Sequence, residues 1–586
     1  IKPLVEKLKQ YRDWLLQLTI CDPACGSGAF LNEALNFLIA EHGYVDELQA
    51  KLFGDAMVLS DVENSILENN LFGVDLNEES VEIAKLSLWL RTAQPNRKLN
   101  NLNNNIKCGN SLIDDPEIAG DKAFNWEQEF PKIFEKGGFD VVIGNPPYVD
   151  NRGFDKVELD YLYDSYTNSF EKSGTGKYKT TKLNLIAPFI ELNRSILKEE
   201  GLLSYIFHKN IFKTNSYSAI RKYILYNYNI LSLTDWGANQ FADVVAETAT
   251  FTLKKTHNID DKISVNFYNL SEKYKENVQF QTEFKNAYEY IFGINLSNDD
   301  RDLIKKISEK SERLEYFVNI NNGIVTGNDK KFIRNENLDG SFKKVIRGKN
   351  IKRYNNLISD EYIDYQKGDL LRARDERIFL SKEKLLMQMI NIVFVITYDE
   401  NQFYNLGTTY AITLKEGVNL NLKYLLVLLN SKLISFYYLK KFTNESSLTN
   451  AISTKNLFEI PMKIKFDQIS FIEKADKMLS LNKDLQESSS KFQRTLQRQF
   501  EVLEKLPKKL ENWYELTFAD FLKELKKKKI VLSLEEDEKW EDYFLPQQQK
   551  ALEIKDQITK TDKEIDTMVY ELYGLTDKEI AIVENT

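Results

Sequence analysis

The chain has 586 residues, a formal net charge of −9, 42% hydrophobic and 28% charged residues, which are globular values that exclude disordered and fibrous classes. Three cysteines and three histidines argue against a disulfide framework or a histidine-rich metal site, so we expect no metal centre. No segment has the length and apolarity of a membrane span or a signal peptide, which predicts a soluble, cytoplasmic protein without membrane partners. This length predicts about three domains.

The chain begins with an amphipathic helix at residues 4–16 and a short strand at residues 18–21. The strand runs into a glycine-rich turn, Asp22 to Phe30, before helical spacing resumes. Such a turn offers backbone N–H groups to a nucleotide-like ligand, although it lacks a complete G-x-G-x-x-G pattern and a Walker lysine. We interpret Cys21 and Cys25 as small buried residues around the turn rather than as zinc ligands.

Two further predicted strands end in polar residues. The strand at residues 71–75 ends in Asp75, which has the position of a ribose-binding carboxylate. Equally, Asp75 or Asn77 is the cap of the helix that follows. The strand at residues 105–108 leads to Asn110, which either binds an adenine amino group or makes a turn.

The fourth predicted strand, residues 139–144, runs into Asn145-Pro146-Pro147-Tyr148. The prolines stiffen the exit of the strand because each fixes φ and lacks an N–H. The Asn145 side-chain oxygen and the Pro146 carbonyl can both accept from one exocyclic amino group, while Tyr148 stacks on its ring. The alternative is that these four residues form only a strand-ending turn.

In this order, DPACGSGAF, GVDLNEESVEIAKLSLWL, IKCGNSLI and FDVVIGNPPYV strongly resemble the motifs of S-adenosylmethionine-dependent adenine-N6 DNA methyltransferases of the gamma arrangement. Among these, the large type IIG restriction–modification polypeptides are the most similar. The resemblance implies a doubly wound α/β, Rossmann-like sheet over residues 1–255, S-adenosyl-L-methionine as cofactor and double-stranded DNA as partner. The family's upstream aromatic-Gly-x-x-Thr-Pro segment is not found, so we expect a missing N-terminal portion, which in type IIG enzymes carries the nuclease.

The resemblance also implies the residues of the site. Asn145, Pro146 and Tyr148 would bind the target base, which Tyr148 and Phe241 would sandwich. The cofactor-binding residues would be Asp22, Ala24, Cys25, Gly26, Gly28, Phe30, Asp75, Leu76, Asn110, Ser111 and Asn145.

Beyond residue 255 we predict a connector at 256–310, a mixed α/β DNA target-recognition domain at 311–467 and a helical C-terminal region at 468–586. Residues 311–467 loosely resemble the specificity domain of the same family. A cluster of cations there can neutralise phosphates, or it forms only a solvated face. The cluster consists of Lys343, Lys344, Arg347, Lys349, Lys352 and Arg353.

These features predict methyl transfer to the adenine amino group in duplex DNA within a restriction–modification system, with a nuclease domain or subunit as a further partner. The alternative is a bifunctional type IIG endonuclease–methyltransferase. Methylation of RNA or of a protein glutamine, and a non-enzymatic specificity module, are the remaining alternatives. Glu524-Leu525-Lys526 has local nuclease-like spacing but lies in a lysine-rich helix.

Overall fold

The computed structural model divides the chain into two compact units, Ile1–Ile294 and Asn295–Thr586. It describes residues 2–53, 62–92, 101–149, 153–170, 184–237, 247–269, 272–337, 340–443, 451–503 and 506–585. No helix within these ranges is both long enough and apolar enough to cross a bilayer.

A single nine-stranded sheet organises the first unit. Its strands are β1 (Ile20–Asp22), β2 (Leu71–Asp75), β3 (Ile106–Cys108), β4 (Phe139–Gly144), β5 (Leu197–His208), β6 (Asn229–Gly237), β7 (Thr248–Lys254), β8 (Lys262–Asn269) and β9 (Glu272–Phe280). Their order is β3-β2-β1-β4-β5-β7-β6-β8-β9. The first five strands are parallel, and β7 runs antiparallel between β5 and β6. The carboxyl ends of β1, β2, β3 and β4 therefore lie along one edge.

Helices cover both faces of this sheet. They are α1 (Lys2–Leu15), α2 (Ala29–Phe53), α3 (Val62–Asn69), α4 (Glu78–Thr92), α5 (Pro116–Ala119), α6 (Trp126–Glu129), α7 (Pro131–Phe134), α8 (Lys156–Ser165), α9 (Ile186–Ile196), α10 (Ser218–Asn227) and α11 (Gln281–Lys285). Successive residues of one strand pack into different cores: Leu71 lies with Leu31 and Leu88, whereas Phe72 lies with Phe139. Strands of this kind are apolar on both faces, and they therefore appear in the sequence as continuous hydrophobic runs.

The stretch predicted as a connector, 256–310, contains β8 and β9 of the large sheet. Ile263 and Val265 are fully buried, and the residues between and beside them are not. This alternation of buried and exposed residues is short, and Asn, Lys and Glu surround it. The sequence signal for a strand is therefore weak, although the structure contains one. The first compact unit accordingly runs to Ile294 rather than ending at residue 255.

The second unit contains short strands in three small sheets, ordered β10-β19, β11-β18-β15-β16 and β12-β14-β13-β17. These strands are β10 (Glu312–Arg313), β11 (Val318–Asn322), β12 (Ile333–Arg334), β13 (Lys343–Ile346), β14 (Tyr362–Ile363), β15 (Lys384–Gln388), β16 (Ile396–Asp399), β17 (Tyr404–Asn405), β18 (Thr409–Leu414) and β19 (Pro461–Met462).

Its helices become long towards the C-terminus. They are α12 (Asn298–Ser308), α13 (Asp329–Phe332), α14 (Glu376–Phe379), α15 (Leu422–Asn430), α16 (Lys432–Phe442), α17 (Thr454–Phe458), α18 (Ile469–Gln499), α19 (Lys508–Glu511), α20 (Phe518–Lys527), α21 (Leu534–Tyr573) and α22 (Asp577–Glu584). α18 packs on α21. Phe492 stacks on Trp513 with ring centroids 3.7 Å apart, in a core shared with Phe521 and Phe544. The predicted fold class, a doubly wound sheet followed by mixed α/β and helical parts, is confirmed.

Candidate active site

The glycine-rich turn between β1 and α2 is held by backbone geometry and by the carboxylate at the end of β2. Gly26 and Gly28 have φ of +51° and +85°, which residues with a side chain rarely adopt. A Cβ on Gly28 would lie 3.1 Å from the Cβ of Ala84, so glycine lets α2 and α4 approach closely. A Cβ on Gly26 would meet nothing within 4 Å. The backbone N–H of Gly26 donates to Asp75 Oδ2 at 2.8 Å. The turn therefore presents backbone to open space beside Asp75.

Of the two candidates for the helix cap, Asp75 and Asn77, the structure selects Asn77, and the binding of a ribose by Asp75 stays a prediction. Asn77 is the cap of α4, because its Oδ1 accepts from the Ser80 N–H at 3.0 Å. Asp75 Oδ1 accepts from the Asn77 N–H at 3.0 Å, while Oδ2 holds Gly26. Leu76, between them, is 58% exposed. The Asp75 carboxylate thus joins the end of β2 to the glycine-rich turn and stays half-buried at the sheet edge.

Asp22 is a buried carboxylate between the turn and the end of β4. It is 1% exposed, and its Oδ1 accepts from the Ala24 N–H at 3.0 Å. A Cβ on Gly144 would lie 2.6 Å from Asp22 Oδ1, so only glycine permits this contact. Burial, and more weakly the charge of Asp75, raises the pKa of Asp22 to about 7. No cation among the described residues forms an ion pair with it.

Asn145 follows Gly144 directly and is exposed, whereas Pro146 is buried. Tyr148 is 45% exposed, and its hydroxyl lies 2.9 Å from Asn145 Oδ1 and 3.2 Å from the Ile206 carbonyl oxygen, both of which accept from it. Partial burial raises the pKa of Tyr148 above its ordinary value, so the hydroxyl remains a donor. The tyrosine thereby orients the amide at the sheet edge, an interaction that the sequence did not reveal.

The end of β3 contacts the same turn through a serine. Ser111 Oγ donates to the Pro23 carbonyl at 2.6 Å, and Trp126 Nε1 donates to the Ser111 carbonyl at 3.0 Å. Asn110 makes the turn that the sequence offered as one alternative, because its Oδ1 accepts from the Leu112 N–H at 3.1 Å. Sequence reasoning missed the contact of Trp126, since nothing near Trp126 in the sequence indicates a hydrogen bond to the loop after β3.

The remaining predicted residues of this edge differ in how far they are buried. Cys25 is buried, Ala24 and Phe30 are half-buried, and Cys21 is buried as predicted. The described ranges hold no group of three or more His, Cys, Asp or Glu side chains arranged to bind a metal. Phe241, the predicted second stacking residue, lies outside the residues that the structure describes.

The predicted cationic cluster separates into paired arginines and exposed lysines. Arg347 donates to Glu361 at 2.7 Å and to Asp329 at 2.8 Å. Arg353 donates to Asp562 at 2.7 and 3.0 Å, which ties its loop to α21. Both guanidinium groups have carboxylate partners within the second unit, and a contact of Arg347 or Arg353 with DNA stays a prediction. The exposed members are Lys343, Lys344, Lys349 and Lys352, of which Lys349 lies 4.0 Å from Glu361.

The nuclease-like spacing at Glu524 has a structural explanation. Glu524 is 8% exposed, and its carboxylate pairs with Lys527 at 2.7 Å and with Lys509 at 3.7 Å. A nuclease site of the expected type needs a second carboxylate beside the first to hold a metal ion. The pair with Lys527 lies within α20, and the pair with Lys509 joins α20 to α19.

A sheet whose parallel strands end in a glycine-rich turn, an acidic residue and Asn-Pro-Pro-Tyr at one edge defines a Rossmann-like methyltransferase domain. Residues 69–241 match the family described as Eco57I restriction-modification methylase. Residues 343–462 match the TaqI-like C-terminal specificity domain, and 465–569 match a domain of unknown function. The predicted resemblance to restriction–modification methyltransferases is thereby confirmed.

Two curated relatives illustrate the similarity. The type II restriction enzyme and methyltransferase RM.Eco57I of Escherichia coli is 27% identical in a 355-residue alignment that covers 55% of this chain and 33% of that protein. The type II methyltransferase M.VspI of Vibrio sp. strain 343 is 26% identical over 340 residues, 58% of this chain and 65% of that protein. The chain thus spans less than two thirds of the length of these relatives.

A solved structure shares the fold across nearly the whole chain. The type IIL restriction-modification enzyme MmeI, in complex with DNA, superposes with a TM-score of 0.59 over 98% of this chain and 73% of that one. The sequence identity is 14%, so this likeness establishes the architecture alone.

Proposed function

We propose that this chain transfers a methyl group from S-adenosylmethionine to the exocyclic amino group of adenine in duplex DNA, in the cytoplasm and as part of a restriction–modification system. The observation that carries the proposal is the position of Asn145. Its amide is exposed at the carboxyl end of β4, immediately after Gly144, whose backbone packs against Asp22 of the glycine-rich turn. An amino group that donates a hydrogen bond to the side-chain oxygen of Asn145 would therefore lie beside a ligand held by that turn.

The residues at the sheet edge fit this cofactor. S-adenosylmethionine supplies an activated methyl group on a positively charged sulfur. The buried Asp22 carboxylate has no cationic partner among the described residues, which suits the positive charges of such a ligand. The open backbone at Gly26 and the half-buried carboxylate of Asp75 would hold its sugar and its chain, with Ser111 fixing the turn from the side of β3.

The residues around Asn145 would activate the substrate. The adenine amino group is a poor nucleophile because its lone pair is delocalised into the ring. Acceptors at Asn145 Oδ1 and the Pro146 carbonyl favour the pyramidal, charge-developing transition state by preorganised electrostatics. Extruding the base costs a few kcal/mol, and stacking on Tyr148 would return about 1–3 kcal/mol. The prolines keep both acceptors in place without a conformational cost during the reaction.

The support for DNA as the substrate comes from the second unit. Lys343, Lys344, Lys349 and Lys352 are exposed in the region that matches a specificity domain. Lysines of this kind neutralise phosphates and give an affinity that falls with salt. The neighbour MmeI is described in complex with DNA.

The test uses the purified chain, radiolabelled S-adenosylmethionine and separate pools of unmethylated duplex DNA, RNA and protein. We expect label in DNA, recovered as N6-methyladenine by mass spectrometry after digestion to nucleosides. Asn145→Ala should abolish the transfer while the affinity for S-adenosylmethionine is retained, and Asn125→Ala, at the cap of α6, is the matched control. Label recovered only in RNA or in protein, or normal turnover by Asn145→Ala, would refute the proposal.

A further inference from the structure

A buried lysine lies directly after the strand that neighbours the candidate base site. β4 and β5 pair in parallel with Gly144 opposite Tyr205. The next residue of β5, Ile206, accepts from the Tyr148 hydroxyl through its carbonyl at 3.2 Å. Lys209 follows His208, the last residue of β5, at the start of a short helical turn. Lys209 and Tyr148 are thus connected through the backbone of one strand end.

Two carboxylates meet the ammonium of Lys209. Its Nζ lies 3.6 Å from Asp235 Oδ2 and 3.3 Å from Glu247 Oε2. The three side chains are 9%, 11% and 8% exposed, so the cluster is withdrawn from water. Buried charges are costly unless they are paired, and the geometry of such a cluster is therefore strongly constrained. The Lys209 N–H also donates to the Glu247 carbonyl at 3.1 Å.

The two carboxylates come from either side of one chain segment. Asp235 lies near the end of β6, and its Oδ1 accepts from the Gly237 N–H at 2.9 Å, where Gly237 has a φ of +70°. Glu247 immediately precedes β7, whose first residue pairs with His208. The residues between, 238–246, include Phe241 and lie outside the described part of the chain. One ammonium therefore fixes both strand ends that flank this segment to the end of β5.

We propose that Lys209 is a positioning residue for methyl transfer, acting with Asp235 and Glu247 to hold the ends of β5, β6 and β7 in register beside Asn145 and Tyr148. The inference rests on the proposed function. Displacing groups by about 1 Å at a reacting centre can cost 10²-fold in rate, so the expected effect is on turnover rather than on cofactor affinity.

A second ion pair of the same strand provides the matched control. Lys198, the second residue of β5, pairs with Asp140 at 2.7 Å at the opposite end of the strand, with side chains 23% and 27% exposed. Lys198→Met removes a lysine–carboxylate pair from β5 without altering the edge that holds Asn145. A purely stabilising role for Lys209 predicts the same behaviour for both methionine variants.

The experiment measures kcat for methyl transfer to unmethylated duplex DNA, the Kd for S-adenosylmethionine and the thermal unfolding of each variant. We expect Lys209→Met to lose at least about tenfold in kcat while its cofactor Kd stays within about twofold. Lys209→Arg, which keeps the charge, should recover most of the rate. Lys198→Met should retain kcat within about twofold, with a smaller loss of stability because its ion pair is more exposed to water.

Equal kcat values for Lys209→Met and Lys198→Met, or a parallel loss of cofactor affinity, would overturn the inference. Should Lys209→Met fail to fold, Glu247→Gln tests the inference in its place, because this variant leaves the charge of one lysine balanced by one carboxylate. A lower kcat with unchanged cofactor Kd in Glu247→Gln supports the inference, and an unchanged kcat overturns it. Absence of transfer by the unmodified chain would instead refute the proposed function, and the inference would fall with it.

Discussion

Replacing Asp22 by asparagine tests whether the buried carboxylate balances the charge of the cofactor. The side chain keeps its shape and its acceptor for the Ala24 N–H, but it loses the ability to ionise. With a pKa of about 7 in the free protein, Asp22 is half protonated at pH 7. A positive ligand beside the carboxylate favours its charged form, so cofactor binding should release about half a proton at pH 7, more at pH 6 and less at pH 8.

The raised pKa of Asp22 also determines how ionisation of this residue changes the stability of the folded protein with pH. The folded-state pKa of Asp22 lies above its ordinary value of 3.8, so folding is penalised as pH rises from about 4 through 7 and is unaffected below that window. A shift of about three units corresponds to roughly 4 kcal/mol at pH 8. Asp22→Asn should therefore make the free protein more stable than the unmodified chain at pH 8 and not at pH 4, although it binds cofactor more weakly.

The assay is isothermal titration calorimetry of S-adenosylmethionine binding in two buffers of different ionisation enthalpy. The apparent enthalpies give the number of protons released, and subtracting the Asp22→Asn value removes any contribution from the ligand itself. Asp155→Asn, at the exposed cap of α8, serves as control and should behave as the unmodified chain does. Equal proton release by Asp22→Asn and the unmodified chain at pH 6, 7 and 8 would refute the reasoning.

Three further predictions concern packing, stacking and phosphate contacts. Gly144→Ala places a Cβ 2.6 Å from Asp22 Oδ1 and should cost about 1–3 kcal/mol in urea unfolding together with most methyl transfer. Tyr148→Phe keeps the ring but not the hydrogen bond to Asn145, so kcat should fall about fivefold, whereas Tyr148→Ala should also weaken binding of the base by about 1–3 kcal/mol. Replacing four exposed lysines by alanine should make the slope of log K against log salt shallower by up to about 3.6 in DNA binding. These lysines are Lys343, Lys344, Lys349 and Lys352.

Each of these variants has a control or a contrary outcome. Gly43→Ala lies in α2 where a Cβ meets nothing within 4 Å, and it should not impair transfer. Unchanged kcat in Tyr148→Phe would show that the hydroxyl does not orient Asn145. Arg353→Met should lower the stability of the second unit through loss of the Asp562 pair, while leaving the salt slope unaltered. A salt slope that is the same for the quadruple lysine variant and the unmodified chain would contradict the phosphate assignment.

The sequence by itself determined the class of fold and the order of the motifs. Hydrophobic runs, glycine spacing and the Asn145-Pro146-Pro147-Tyr148 segment are local signals, and local signals fix strands, turns and the residues at strand ends. They placed Asp22, Gly26 and Asp75 at one edge of a sheet because the carboxyl ends of parallel strands meet there. They did not identify β8 and β9, whose apolar alternation is brief.

Only the tertiary structure decided which partner each polar group takes. Asp75 holds Gly26 across 49 residues of sequence, Tyr148 shares its hydroxyl with β5, and Arg353 pairs with Asp562, 209 residues away. No local pattern encodes such contacts, because a hydrogen bond or an ion pair depends on where the chain returns in space and not on the residues beside it. For the same reason the cationic run that reads as one surface contains two arginines paired with internal carboxylates, and the strand that contacts Tyr148 is followed by a buried lysine with no sequence signature.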